Sequence, residues 1–149
     1  MPGAPQSYSN HVRRDPWFHF FVLPVFVLAL LAAITHIFLA FHHHHHRFHA
    51  ILLTILALAA LVAILKIRMY TLKVQDRVIR LEERLRLATL LPESLRNRIP
   101  ELSERQLIAL RFASDGELAG LAQQALDEKL SPDEIKKSIK NWRADNWRV

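Results

Sequence analysis

Two uninterrupted apolar stretches dominate the first half of the chain, and from residue 66 onward the pattern changes to apolar and charged residues mixed at helical spacing. Residues 17–41 (WFHFFVLPVFVLALLAAITHIFLAF) and 48–65 (FHAILLTILALAALVAIL) contain no Asp, Glu, Lys or Arg. A helix rises about 1.5 Å per residue, so each run is long enough, or nearly so, to cross a hydrocarbon layer of roughly 30 Å. Only HHHHHR separates them. The pattern predicts a transmembrane hairpin with spans over 15–41 and 48–66 and a His-rich loop at 42–47.

Local signals sharpen the first span. Residues 1–14 (MPGAPQSYSNHVRR) hold two prolines, a glycine and small polar residues, the composition of a flexible arm. Asp15 reads as an N-cap, and Pro16 suits the first helical turn, where its missing N–H leaves nothing unsatisfied. Pro24, inside the run, predicts a kink. The apolar stretch exceeds a signal-peptide core and no A-x-A site follows it, so it reads as a permanent anchor.

The second helix does not stop where its apolar run ends. No Gly or Pro occurs between Leu65 and Pro92, and Ile67, Thr71, Val74, Val78, Leu81, Leu85 and Ala88 recur at alternating spacings of four and three. That is a heptad seam, and it predicts an amphipathic stalk over 67–91. Asp76 with Arg80 and Glu82 with Arg86 are acid-to-base pairs four residues apart, each contributing about 0.2–0.5 kcal/mol. One continuous helix over 48–90 would be about 65 Å long. A lone stalk would leave the seam facing water, so another helix, from the same chain, a second copy or a membrane partner protein, is expected to cover it.

Residues 92–149 predict a small bundle of short helices. Pro92 and Pro100 bracket a short piece, and three capping boxes follow: Ser103 with Gln106, Ser114 with Glu117, and Ser131 with Glu134. Leu102 with Leu107 and Leu130 with Ile135 add hydrophobic staples. The apolar faces are Leu107, Leu110 and Phe112, then Leu118, Leu121, Ala122 and Ala125, then Ile135, Ile139 and Trp142. No segment alternates with the period of two that marks a strand. The expected fold is thus an all-α membrane protein: a hairpin, a stalk continuing its second helix, and a C-terminal helical bundle.

The formal net charge of +6 is unevenly placed. Beyond residue 90 acids and bases balance, and the excess lies near the apolar runs, in Arg13 and Arg14 before the first and Lys66, Arg68 and Lys73 after the second. The loop offers only Arg47 and histidines, which are largely neutral at pH 7. Because Lys and Arg at helix ends are retained on the cytoplasmic side, both termini are expected there, with the loop external.

Chemistry is sparsely written. With no cysteine, disulfides, thiolate metal sites and cysteine nucleophiles are excluded. Gly-rich phosphate loops, H-E-x-x-H and G-x-S-x-G are absent, so the residues predict neither an enzyme nor a bound cofactor. On a helix His42, His46 and His49 would share a face suited to a transition metal, although no nearby carboxylate would orient a ring. LSERQLIALRFAS, residues 102–114, is similar to the opening helix of the helix-turn-helix of sigma factors and response regulators, with 131–143 as a recognition helix carrying Lys136, Lys137, Lys140 and Arg143. The charge balance of this region argues against nucleic acid as a partner. In the tail, Trp142 is expected to complete the bundle core and Trp147 to pack beside it or meet the membrane interface.

Three stretches together, QSYSNHVRRDPWFHFFVLPV, LKVQDRVIRLEERLRL, and ERQLIALRFASD with IKNWRADNWRV, resemble an uncharacterised family of small two-pass bacterial membrane proteins. The resemblance implies a bacterial inner-membrane location and a cytoplasmic helical domain, and it carries no activity. The expectation from residues and resemblance together is a non-enzymatic scaffold or partner-interaction module that self-associates, with the lipid bilayer and a second copy or membrane protein as partners. A membrane-tethered DNA-binding regulator and a metal-binding module through the histidines are the alternatives.

Overall fold

A computed structural model describes residues 6–11, 15–40 and 46–145, and all regular elements among them are helical. A π-turn (Phe18–Val22) leads into α1 (Leu23–Ala40), and α2 (Arg47–Leu90) is a single helix. Then come α3 (Glu93–Arg96), a 3₁₀ turn (Ile99–Glu101), α4 (Glu104–Leu110), α5 (Asp115–Asp127) and α6 (Pro132–Ser138). The chain forms two compact units, one of Arg14–Leu72 and the other of Met1–Arg13 with Lys73–Arg148.

In the first unit the Asp15 carboxylate accepts from the backbone N–H groups of Trp17 and Phe18, at 3.1 and 3.3 Å, as an N-cap should. The disturbance expected at Pro24 takes the form of the π-turn just before it, where the Leu23 N–H reaches back to the Phe18 carbonyl. Proline lacks an N–H and its ring crowds the carbonyl four residues earlier, so the preceding turn widens. The hydroxyls of Thr35 and Thr54 donate to the Leu31 and Ala50 carbonyls, at 2.9 Å each, which satisfies polar groups within the apolar helices. Both helices are long and apolar enough to cross a membrane. The most apolar window of the first is 0% buried and that of α2 only 6%, so the described residues do not cover them.

The second unit has a conventional core. Leu87, Leu91, Leu107, Leu110, Phe112, Leu118 and Ile135 are fully buried in one cluster, with Trp142 packed against it. The boxes at Ser103 and Ser131 close in both directions. At Ser114, Glu117 accepts from the Ser114 N–H and also from those of Lys140 and Asn141, which ties α5 to the tail.

The last helix is shorter than its sequence suggests. It ends at Ser138, and Ile139 is extended. Ala113 and Trp142 form an isolated bridge, with the Ser114 N–H donating to Asn141 O at 3.1 Å and the Arg143 N–H to Phe112 O at 2.8 Å. These tertiary bonds take over from further helical turns.

The N-terminal arm also differs from the flexible segment expected for 1–14. Its described residues lie against the second unit: the Tyr8 hydroxyl donates to Asp133 at 2.8 Å, and the His11 ring meets Phe112 and Trp142 at centroid distances of 5.7 and 5.8 Å. The Lys136 ammonium lies 3.2 Å from His11 Nε2, and the Asp145 N–H donates to the Gln6 side chain at 2.8 Å. Two aromatic rings and their polar atoms find partners there, which composition could not foretell. The Asp133 carboxylate, as acceptor, raises the Tyr8 phenol above its ordinary range.

Candidate interaction site on the long helix

Helix α2 carries two apolar stripes, and the second unit uses only one. Ile79, Glu83 and Leu87, four residues apart, are buried. At about 100° per residue they lie roughly half a turn from the heptad seam. The seam residues Ile67, Val74, Val78, Leu81 and Leu85 are all exposed, four of them by 60% or more. The described residues therefore leave the predicted seam uncovered. Glu83 interrupts the hydrophobicity of the inner stripe, so the sequence pattern does not mark it.

Buried Glu83 is the centre of an ionic cluster whose outer members, Arg143 and Asp115, are exposed. Arg86 Nη1 lies 3.1 Å from one Glu83 oxygen and Arg143 Nη1 3.7 Å from the other. Arg86 also donates to Asp115 and, at 2.7 Å, to the Ala113 carbonyl. Arg86 is thus drawn inward rather than pairing with Glu82 along the helix, and Arg80 pairs with Glu104 rather than with the Asp76 carboxylate. Local spacing favoured the neighbours, but burial against α5 offered Arg86 better acceptors. Burial pushes the Glu83 carboxyl above the usual carboxylate range, against the opposing pull of Arg86, Arg143 and Arg111.

A cleft of about 810 Å³ opens beside this cluster, lined by Glu82, Glu83, Arg86, Arg111, Asp115 and Asp145 among others. Its acids and bases are interleaved, and Arg111 lies 3.4 Å from Asp145 with its guanidinium 4.4 Å over the Phe112 ring. Such a lining consolidates packing around Glu83 without gathering one sign of charge for a ligand.

The other predicted positions are scattered. His46 and His49 are exposed, while His42 lies outside the described residues. Among the described residues no group of three or more His, Asp or Glu is placed to hold a metal ion. Arg13, Arg14 and Trp147 also fall outside. Lys66 and Lys73 are exposed, and Arg68 lies 3.7 Å from Asp15 and 5.5 Å over the Phe18 ring. Lys136 and Lys137 stand on α6, but Lys140 and Arg143 belong to the extended tail, so the four cations do not share a recognition helix.

The model of a family of unknown function, DUF6526, matches residues 1–149. The chain belongs to that family. No curated protein and no solved structure matches it. Membership in DUF6526 spans the apolar helices, the seam and the helical domain alike, and it assigns none of them an activity.

Proposed function

We propose that this chain is a non-enzymatic, two-pass protein of the bacterial inner membrane that holds a helical domain at the cytoplasmic face and offers the outer stripe of α2 to another helix. The observation that carries this is the opposition of the two stripes: the domain buries Ile79, Glu83 and Leu87 and leaves Ile67, Val74, Val78, Leu81 and Leu85 exposed. An apolar stripe of that extent is a docking surface by default, since water-facing surfaces seldom keep one uncovered.

Two sets of contacts support the hairpin. Asp15, at the start of the first apolar helix, lies near Arg68, just past the second apolar run. Residues Tyr8 and His11, before the first run, touch Asp133 and Trp142, far beyond the second. Both fit two spans with both termini on one side. The basic residues flanking the runs favour the cytoplasm as that side.

The absence of cysteine makes topology directly testable. A cysteine replacing His44 is expected to react with a membrane-impermeant thiol reagent in spheroplasts, and cysteines replacing Ser7 or Ser131 only after lysis. Equal labelling of all three in spheroplasts would remove the hairpin. Docking is tested by replacing Val74, Val78, Leu81 and Leu85 with serine together. Chemical cross-linking in native membranes is expected to give higher-mass species with the native chain and to lose them with this variant. Unchanged cross-linking would overturn the docking role.

A further inference from the structure

We infer that the occupant of the seam is a second copy of this chain, lying parallel and in register, so that Arg77 of each copy pairs with Glu82 of the other. The inference rests on the docking role proposed above and names its partner. In heptad terms Thr71, Val78 and Leu85 occupy the a positions and Ile67, Val74, Leu81 and Ala88 the d positions. The residues flanking this core are Tyr70, Arg77 and Arg84 at g, and Arg68, Gln75, Glu82 and Thr89 at e, Arg68 facing the apolar Ala63 in a parallel pair.

In a parallel, in-register pair each g residue faces the e residue five positions later on the other helix. The facing pairs are then Tyr70 with Gln75, Arg77 with Glu82, and Arg84 with Thr89, each occurring twice by symmetry. Opposite charges meet and like charges do not. An antiparallel pair sets g against g, which brings guanidinium groups together along the flank. Charge therefore selects both the partner and its direction.

The monomer leaves these two residues available. Arg77 and Glu82 are both exposed, and five residues along a helix is the wrong spacing for them to pair within one chain. Glu82 had a neighbour in Arg86, but Arg86 turns inward to Glu83 and Asp115. Arg77 and Glu82 have no ion-pair partner among the described residues. The same burial that builds the domain thus frees Glu82 for a partner. Anchoring two copies in one membrane would align them in parallel and raise their effective concentration, which suits a seam of only three heptads.

The test uses the full chain in native membranes, with single cysteines at Val74, Val78, Leu81 or Leu85 and controls at Lys73 and Asp76. A disulfide needs Cα atoms within about 7 Å, a distance that a and d positions reach across a parallel pair. Mild oxidation is expected to give disulfide dimers several-fold more at the seam than at the controls. In the Val78→Cys background, Arg77→Glu or Glu82→Arg alone is expected to lower the dimer several-fold, and the two together to restore it. Equal yields at seam and control positions, or no restoration by the double swap, would overturn the parallel pairing. If the serine variant still loses its cross-linked species while no cysteine variant dimerises, the second copy fails as occupant and the docking role survives.

Discussion

Replacing Phe112 with alanine is expected to remove about 3–5 kcal/mol from the folded second unit, the usual range for deleting a buried Phe ring. Phe112 is 1% exposed, at the turn between α4 and α5. Its ring meets Trp142 at 5.0 Å between centroids, the edge of His11, and the guanidinium of Arg111. A unit of about 89 residues has a total stability of about 4–13 kcal/mol, so the loss is about a quarter of it at the least. In the full chain in detergent micelles, hydrogen exchange of the α4–α6 amides should quicken by about a hundredfold to a few thousandfold, at about 1.4 kcal/mol per tenfold. The arm should lose protection with them, because His11 rests on the ring that has gone. Amides of α1 should not change. Leu81→Ala, on the exposed seam, serves as comparison and is expected to leave exchange in the second unit unaltered. Retained protection in the Phe112 variant would contradict its place in the core.

What could be foreseen from sequence divides along physical lines. The capping boxes at Ser103 and Ser131 and the Asp15 cap were legible because a cap is decided within four residues. The apolar faces of α4 and α5 were legible because a core leaves a helical period behind it. The end of α6 was not, since the Ala113–Trp142 bridge and the carboxylate of Glu117 compete with its last turns from elsewhere in the chain. The partner of Arg86 and the resting place of Tyr8 and His11 were hidden for the same reason. At the candidate site the seam itself was visible as a heptad. Which stripe the domain would take was not, because a single buried glutamate made the inner stripe look polar.

That glutamate is where the second large effect is expected, and its sign depends on what replaces it. Glu83→Ala strips the mostly buried Arg86 and the exposed Arg143 of a shared acceptor, and removing one partner of a fully buried ion pair typically costs about 3–5 kcal/mol. Arg86 keeps Asp115 and the Ala113 carbonyl, which places the expected loss below that range, at about 2–3 kcal/mol. Glu83→Gln should behave differently. Burial raises the folded carboxyl above its unfolded value of 4.5 despite the three arginines, so desolvation of the charge outweighs its pairing. A raised value means a stability contribution fully present below the unfolded value and lost as pH rises through the folded one. Ionised Glu83 is therefore a net burden at neutral pH, and the amide, which still accepts from Arg86, is expected to leave the unit as stable as the native chain or more so. Glu134 runs the other way: its bonds with Ser131 lower its carboxyl, so its contribution is lost as pH falls. Denaturant unfolding followed between pH 3 and 8 should thus show Glu83→Gln gaining stability with rising pH more steeply than the native chain, because the opposing contribution of Glu83 is gone. Equal damage from Gln and Ala, or an unchanged pH profile, would mean that the charge of Glu83 is itself what holds the cluster together.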